Sequence, residues 1–429
     1  MKGRTLILIE GSRANGPLYV QAAQRLGLHL ITLSADPAQY DYLGANEVQT
    51  ICVDTDDLDA LIRECYQLST TYEIAGITGF PSPSETVYAT VARLCRHFTL
   101  PGPDPASIDR CCDKFVQRQV LAEYGVPVPA YRLATDAMEV ECSAEKIGLP
   151  VILKPTAGLG GSGVRLCRDA KELAQHTSHL LDGDHPWQSS PKILVEEFAQ
   201  GPYYGANTMG NQVIAIGTAD FGPPPHFVFR EYTFPAPLTE TELQRIIDVS
   251  LSCLRALGLG WGPANIEFRW TNDGPVVIEV NPRLPTGEAR LVQLAYGVDL
   301  ITAHINLVIG QQICDLRAKH SHIAAVRSLL PEGDGILDWI SGDNRAAAVP
   351  GVNEVKFYVT PKAQIVRRGD YLDSIGHVIA CSSSRSQTEM MLERAVNLIR
   401  WSIAPFPSLC EPDEISTSIS GAKEAPREG

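Results

Sequence analysis

Residues 264–283 read ANIEFRWTNDGPVVIEVNPR, and this stretch constrains the fold more than any other part of the chain. Ile266, Phe268 and Trp270, then Val276, Ile278 and Val280, alternate with polar residues on either side of Asn272-Asp273-Gly274. Period-two alternation flanking turn-forming residues specifies a β-hairpin. The spacing predicts a three-residue loop with Gly274 in the left-handed conformation. That register pairs Trp270 with Val276, Phe268 with Ile278 and Ile266 with Val280 on one buried face. The other face then carries Asn265 beside Asn281 and Glu267 beside Glu279. Like charges directly opposite on a sheet are unfavourable. At ~5 Å and an effective dielectric near 20, their repulsion is roughly 3 kcal/mol before screening. A divalent cation would offset it, and Mg²⁺ favours one or two carboxylates completed by substrate phosphates. Two solvated surface glutamates are the plain alternative. Against it, Asn281 adds an oxygen ligand on the same face, and Arg283 follows two residues on, suited to a bidentate grip on phosphate or carboxylate.

The 429-residue chain is long enough for two or three domains. A net charge of −14, spread without long blocks, excludes a nucleic-acid partner. Eleven scattered cysteines with no CxxC pair indicate reduced thiols, not a disulfide framework or zinc site. The opening MKGRTLILIEGSR has too few apolar residues before Glu10 for a secretory signal. No apolar run approaches the ~18–20 residues of a membrane helix. These features predict a cytoplasmic protein without a membrane contact.

Residues 5 to about 100 alternate strand and helix patterns (TLILI, Leu18–Leu26, HLITL, Leu58–Ser69, EIAGIT, Ser84–Cys95), which predicts a parallel sheet covered by helices. The first turn, Gly11–Gly16, lacks a dinucleotide fingerprint, so this layer frames a substrate. PGPDP at 101–105 marks a boundary. Beyond it a helix over Ile108–Tyr124 is expected, then strands at Val151–Lys154, Val164–Cys167 and Ile193–Phe198. Helices are expected over Ala170–Leu181, Thr239–Leu257 and Gln387–Ile403, with an exposed linker at Gly183–Pro191. The domain limits read as 1–104, 105–319 (with a lid at about 131–197) and 320–407, with a disordered tail over 408–429.

The run Lys154-Pro-Thr-Ala-Gly158-Leu-Gly160-Gly161-Ser162-Gly163 contains a literal GxGxxG followed by a strand, not a helix. A glycine loop joining antiparallel strands is an arrangement that folds over nucleotide phosphates. Its side-chain-free positions let backbone N–H groups approach phosphate oxygens, and Lys154 supplies a charge. A surface hairpin is the competing reading. Glu196-Glu197-Phe198 ends a strand whose backbone could meet an adenine edge.

In this order and spacing, Lys114 in CCDKFVQRQVL, then LKPTAGLGGSGV, LVEEF, NIEF and VVIEVNPRL, resemble the ATP-grasp superfamily. DKFVQRQVLAEYGVPVPAY resembles that family's entry into its central domain. SIGHVIACSSSRSQTEMMLERAVNLI resembles the last domain of its amide-forming members. Within the superfamily the nearest likeness is to bacterial L-amino-acid ligases, the dipeptide-forming enzymes of bacilysin-type antibiotic pathways. The resemblance implies an α/β and α+β chain: an N-terminal parallel α/β domain, a central two-part ATP-grasp domain with a glycine-loop lid, and a C-terminal α+β domain. It implies an ATP-dependent carboxylate–amine ligase acting through an acyl phosphate on small acids and amines such as amino acids, and a homodimer. Lys114 and Lys154 would contact ATP phosphates under Gly158, Gly160, Gly161, Ser162 and Gly163. Glu196 and Phe198 would flank adenine. Glu267, Glu279 and Asn281 would hold two Mg²⁺ (or Mn²⁺), and Arg283 would steady the transferred group.

The chain departs from the family pattern at the substrate end. Where relatives place a ribose-binding glutamate it reads Gly201-Pro202-Tyr203, leaving Tyr203 or Glu197 as substitutes. After Arg283 relatives continue with a glycine pair and an acid, whereas this chain has Leu284-Pro285-Thr286-Gly287-Glu288. Tyr232 stands where histidine is usual, and His226 and Glu231 are candidate bases or positioning groups for the amine. The departures after Arg283 and at Tyr232 predict an unusual substrate. The rival readings are a biotin-carboxylase or purine-pathway type carboxylating enzyme, a non-catalytic nucleotide-binding protein, and a ligase making a non-peptide amide or cyclic imine.

Overall fold

The computed structural model describes residues 3–81, 86–182, 192–313 and 315–406. The expected linker at Gly183–Pro191 and the tail over 408–429 lie outside the described residues. Four strands form an all-parallel sheet in the order Gln49–Cys52, His29–Ser34, Arg4–Ile9, Glu73–Gly79. Leu6, Ile7, Leu8 and Ile9 are fully buried because helices cover both faces of this sheet. The N-terminal alternation thus folds as the sequence predicts.

A second sheet has eight strands, all antiparallel: Gly274–Asn281, Pro263–Thr271, Tyr203–Met209, Gln212–Asp220, Glu231–Phe234, Ile323–Leu329, Gly376–Ser382 and Val352–Phe357. It runs unbroken from the central region into the C-terminal one. Helix Glu240–Leu257 covers the apolar side of the hairpin, where Ile246, Cys253, Leu254 and Leu257 pack with Ile266, Phe268, Val277 and Val280. That helix starts at a reciprocal capping box: Glu242 N–H donates to Thr239 Oγ1 at 3.3 Å and Thr239 N–H to Glu242 Oε2 at 2.8 Å. It stops at left-handed Gly258, φ 74°. A separate antiparallel sheet, in the order Tyr131–Ala134, Ile193–Glu197, Val151–Pro155, Arg165–Cys167, carries the glycine loop. Gln364–Ile365, Gly335–Ser341 and Arg400–Ala404 form a small fourth sheet in the C-terminal region.

Three local expectations are corrected. The hairpin turn has two residues, Asn272-Asp273, and Gly274 begins the return strand with φ 118°. A bulge after Glu267 shifts the register, so Phe268 pairs with Val277 and Trp270 with Pro275, and Ile278 is left out of the pairing. The helix expected over Ile108–Tyr124 is two helices, Pro105–Cys112 and Lys114–Glu123. Asp113 between them is extended (φ −110°, ψ 111°) and caps the second helix by accepting from Phe115 N–H at 2.8 Å and Val116 N–H at 3.1 Å. The helix expected to reach Ile403 ends at Val396. Residues 400–404 pair with Gly335–Ser341 instead, Trp401 opposite Ile340 and Ile403 opposite Leu337. Alternating aromatic and β-branched residues suit that strand better than a further helical turn.

Candidate active site

The hairpin brings the two acids together. Glu267 lies opposite Glu279 and Asn265 opposite Asn281. Asn281 Nδ2 donates to Glu267 Oε1 at 3.0 Å, and the Arg283 guanidinium reaches Asn281 Oδ1 at 3.5 Å. The chain itself offsets half of the repulsion expected from sequence, because Lys114 Nζ sits 2.9 Å from Glu279 Oε1. Burial would raise the Glu279 pKa, but Lys114 and Lys154 outweigh it and hold the carboxyl below its ordinary value. Glu267 is pushed up to about 7, first by burial and then by the Glu279 charge, against the pull of Arg283. The donors are all oxygen, and one carboxyl is held near neutrality for want of positive charge, so these residues fit a hard divalent cation. Among the described residues no group of three or more His, Cys, Asp or Glu side chains makes a complete metal cage. Phosphate oxygens would therefore have to complete the coordination.

Helix Lys114–Glu123 covers the outer edge of the hairpin. Gln117 exchanges two 2.8 Å hydrogen bonds with the backbone of Val280, and Arg118 donates to the carbonyl of Ile278, which the bulge frees. Lys114 and Arg118 lie one turn apart on one face of this helix. Lys114 also donates to Gly158 O at 2.9 Å, tying the acidic pair to the glycine loop. Lys154 Nζ is 2.5 Å from Glu196 Oε2, and Arg118 Nε is 2.5 Å from Glu196 Oε1. Burial lowers the Lys154 pKa despite Glu196. Burial would raise that of Glu196, but Arg118 and Lys154 pull it down. The Glu196 side chain is thus a buried counter-ion to Arg118 and Lys154. Glu197 is exposed and accepts from Ala130 N–H at 3.2 Å. Phe198 is partly buried, its ring centroid 6.2 Å from that of Phe227.

The glycine loop needs its composition. Gly160, Gly161 and Gly163 have φ of 58°, 83° and 73°, and Gly158 has 144°. Ser162 N–H donates to Leu159 O and Val164 N–H to Gly161 O, both at 3.0 Å, which curls the loop on itself.

The substrate-end candidates separate. Glu231 is held by Arg327 at 2.7 Å, directly across the strand pair, so its carboxylate is structural and not a free base. His226 packs against Gly369 and burial lowers its pKa. Tyr203 is buried beneath Arg269 with its hydroxyl toward Glu267, which removes it as a ribose ligand. Tyr232 is buried in a stack on Phe234, its hydroxyl over Gly205, where an added Cβ would come within 2.0 Å. That hydroxyl points toward Glu288 without a partner of ordinary hydrogen-bond geometry among the described residues. Glu288 accepts from Asn207 Nδ2 at 2.9 Å and is pushed up to about 8 by burial. Gly287, left-handed at φ 82°, opens helix Glu288–Tyr296.

Sequence reasoning missed Gln117, Arg118, Asn207 and Asn15. Asn15 belongs to the parallel-sheet region, yet its Nδ2 donates to Pro285 O and its Oδ1 accepts from Gly287 N–H, both at 3.2 Å. The four-residue spacing of Lys114 and Arg118 was a usable signal for Arg118. Nothing local in the sequence signals Asn15.

The site thus holds two acids on neighbouring strands, a lysine linking one of them to the glycine loop, and a second lysine at the end of the strand that leads into that loop. The family profile described as the ATP-binding domain of the carbamoyl-phosphate synthase L chain matches residues 113–316, and that of L-amino acid ligase C-terminal domain 2 matches 327–404. The chain belongs to the ATP-grasp superfamily and is an ATP-dependent carboxylate–amine ligase of the group near the L-amino-acid ligases. It is 57% identical over 412 residues to "Uncharacterized protein y4rH" of Sinorhizobium fredii, covering 96% of this chain and 85% of that one. It is 27% identical over 338 residues to human carnosine synthase 1, covering 72% of this chain but only 40% of that protein. The L-amino acid ligase of Bacillus licheniformis superposes with a TM-score of 0.80 at 20% identity, over 94% of this chain and 100% of the other, which is a likeness of fold. No single helix among the described residues is long and apolar enough to cross a membrane.

Proposed function

We propose that the chain joins a small carboxylic acid to an amine, an amino acid in at least one position, giving an amide or dipeptide with ADP and phosphate in a specialised biosynthetic pathway. A carboxylate oxygen of the substrate attacks the γ-phosphorus of ATP and ADP leaves. The amine nitrogen then attacks the acyl carbon, phosphate leaves and the amine loses its proton. The first step requires charge neutralisation and alignment more than covalent help. Lys114 and Lys154 can exchange their carboxylate partners for phosphate oxygens. Glu267, Glu279 and Asn281 would hold two Mg²⁺, with Mn²⁺ as an alternative, which when bound neutralise the triphosphate. Arg283, two residues beyond Asn281, offsets charge on the tetrahedral species. Glycine-loop closure excludes water from the acyl phosphate. Asn15, Gly287 and Glu288 form the acceptor end.

The observation that carries this reading is the Lys114 ammonium, which contacts both Glu279 and Gly158 and so couples the acids to the loop. The test is a phosphate-release screen over pairs of amino acids with mass spectrometry of the positives. Glu279→Gln should lower ADP formation by more than about 100-fold, since loss of even outer-shell partners of a metal typically costs roughly 10–100-fold. Unchanged turnover in that variant, with circular dichroism intact, would remove the metal-pair argument. ADP release that depends on bicarbonate and not on an amine would mark a carboxylating enzyme instead.

A further inference from the structure

The glycine loop does not stand free. Ser162 Oγ donates to Asp370 Oδ2 at 2.7 Å, and Tyr371 N–H donates to Gly160 O at 3.2 Å. The Tyr371 ring lies so close over Gly160 that an added Cβ would meet its Cδ1 at 2.2 Å. Both partners come from Arg368–Asp373, in the C-terminal region. This segment is preformed by its own aspartates. Asp370 accepts from Leu372 N–H at 2.8 Å, and Asp373 accepts from Arg368 N–H at 2.6 Å and Gly369 N–H at 3.0 Å. On the other side, Leu166 N–H, just past the loop, donates to Pro225 O at 3.0 Å, and His226 packs on Gly369. The loop is therefore clasped between a turn of the C-terminal region and the 222–230 connection.

We infer that Asp370 and Tyr371 are positioning residues for the nucleotide: they form a latch that holds the glycine loop closed, opens to admit ATP and re-forms over it. The inference rests on the proposed ATP site but adds a determinant from another part of the chain. A carboxylate accepting from Ser162 pins the curled loop to the C-terminal turn. Its loss removes the one side-chain bond from the turn to Ser162 and leaves the loop held by Tyr371 N–H, Lys114 and His176, with Pro225 just beyond it.

Asp370→Ala should raise the KM for ATP about tenfold, the worth of one charge-assisted hydrogen bond, with a much smaller change in the KM of the carboxylate substrate. It should also increase ADP released per amide formed, because an open loop lets water reach the acyl phosphate. Asp370→Asn, which keeps an acceptor for Ser162, should restore most of the ATP affinity. Independently of turnover, amide hydrogen exchange at Ser162, Val164 and Tyr371 should accelerate in Asp370→Ala while the N-terminal sheet exchanges as in the parent protein. Parent-like exchange at these amides together with a parent-like KM for ATP would overturn the latch. Accelerated exchange in a protein whose parent binds no nucleotide would uphold the latch and sink the ATP reading.

Discussion

Glu196→Gln isolates the electrostatics beneath the glycine loop. Arg118 is 0% exposed, Glu196 2% and Lys154 4%, and the carboxylate touches both cations at 2.5 Å. Glutamine keeps the volume and one acceptor but removes the charge, leaving two buried cations side by side with an amide N–H₂ turned toward one of them. Breaking a buried ion pair by neutralising one partner costs about 3–5 kcal/mol. Lys154 can limit that cost by losing its proton, because its pKa is already lowered by burial and would fall further without Glu196. A lysine with a folded pKa below its unfolded value destabilises fully below the lowered value, and the cost vanishes as pH rises to about 10.4. The variant's deficit should therefore be about 3 kcal/mol at pH 7 and clearly smaller at pH 9.5. For a cooperative unit of 150–250 residues, about 3 kcal/mol corresponds to a fall of about 6–12 °C in the melting midpoint. Calorimetry or urea unfolding of both proteins at the two pH values measures it. A variant within about 1 kcal/mol of the parent, or a deficit independent of pH, would refute the buried-triad reasoning.

Acid should destabilise the protein through two neutral imidazoles. Burial pushes the pKa of His176 and His304 down to about 4, with His176 donating to Gly163 O at 2.9 Å and His304 bonded to Tyr19 Oη at 2.5 Å. The unfolded chain binds these protons below about 6.5, so each residue's contribution of about 3 kcal/mol is intact above that pH and lost as pH falls toward 4. Glu267 and Glu288, raised to about 7 and 8, act in the opposite sense. Comparison of unfolding midpoints for the parent and His304→Gln between pH 7 and 4.5 isolates the imidazole, and identical slopes would refute its role. Asn15→Ala removes both bonds to the 285–287 loop and should raise the KM of an acid or amine substrate several-fold while leaving the KM for ATP within about twofold, as expected for a loss of about 1 kcal/mol confined to one subsite. Steady-state kinetics with each substrate varied in turn checks it, and an equal shift in the KM for ATP would contradict that placement of Asn15.

The periodic parts of the fold were legible, and the parts that depend on distant partners were not. The parallel sheet follows from TLILI, HLITL and EIAGIT because buried parallel strands are near-continuous apolar runs. The hairpin's start was correct through Glu267 opposite Glu279. Its turn was misjudged by one residue because a bulge leaves Ile278 unpaired, its freed carbonyl taken by Arg118 from a helix far upstream in the chain. Residues 400–403 read as helical because the mixed pattern before them is helical, and pairing with Gly335–Ser341, about sixty residues upstream, makes Arg400–Ala404 a strand. Asp113 could have been recognised as a cap, since an aspartate followed by a good helix former is a start signal.

The structure brings Lys114, Lys154, the glycine loop, Glu267, Glu279 and Asn281 into one region, with a charge balance that motif reasoning did not foresee. Sequence treats the like-charged pair as requiring an outside cation. The structure offsets one acid with Lys114 and leaves the other raised to about 7. Glu196 likewise takes up Lys154, so both lysines proposed to meet phosphate rest on carboxylates. An incoming metal–triphosphate then replaces ion pairs already present and need not meet bare charges. This arrangement lowers the cost of keeping four cations and four acids close together between turnovers. It also brings Glu196 and Arg118 into the same charge balance. Glu196 holds Lys154 charged in a buried position and Arg118, which repels Lys154, holds Glu196 ionised, an arrangement visible only once helix Lys114–Glu123 is docked against the hairpin edge.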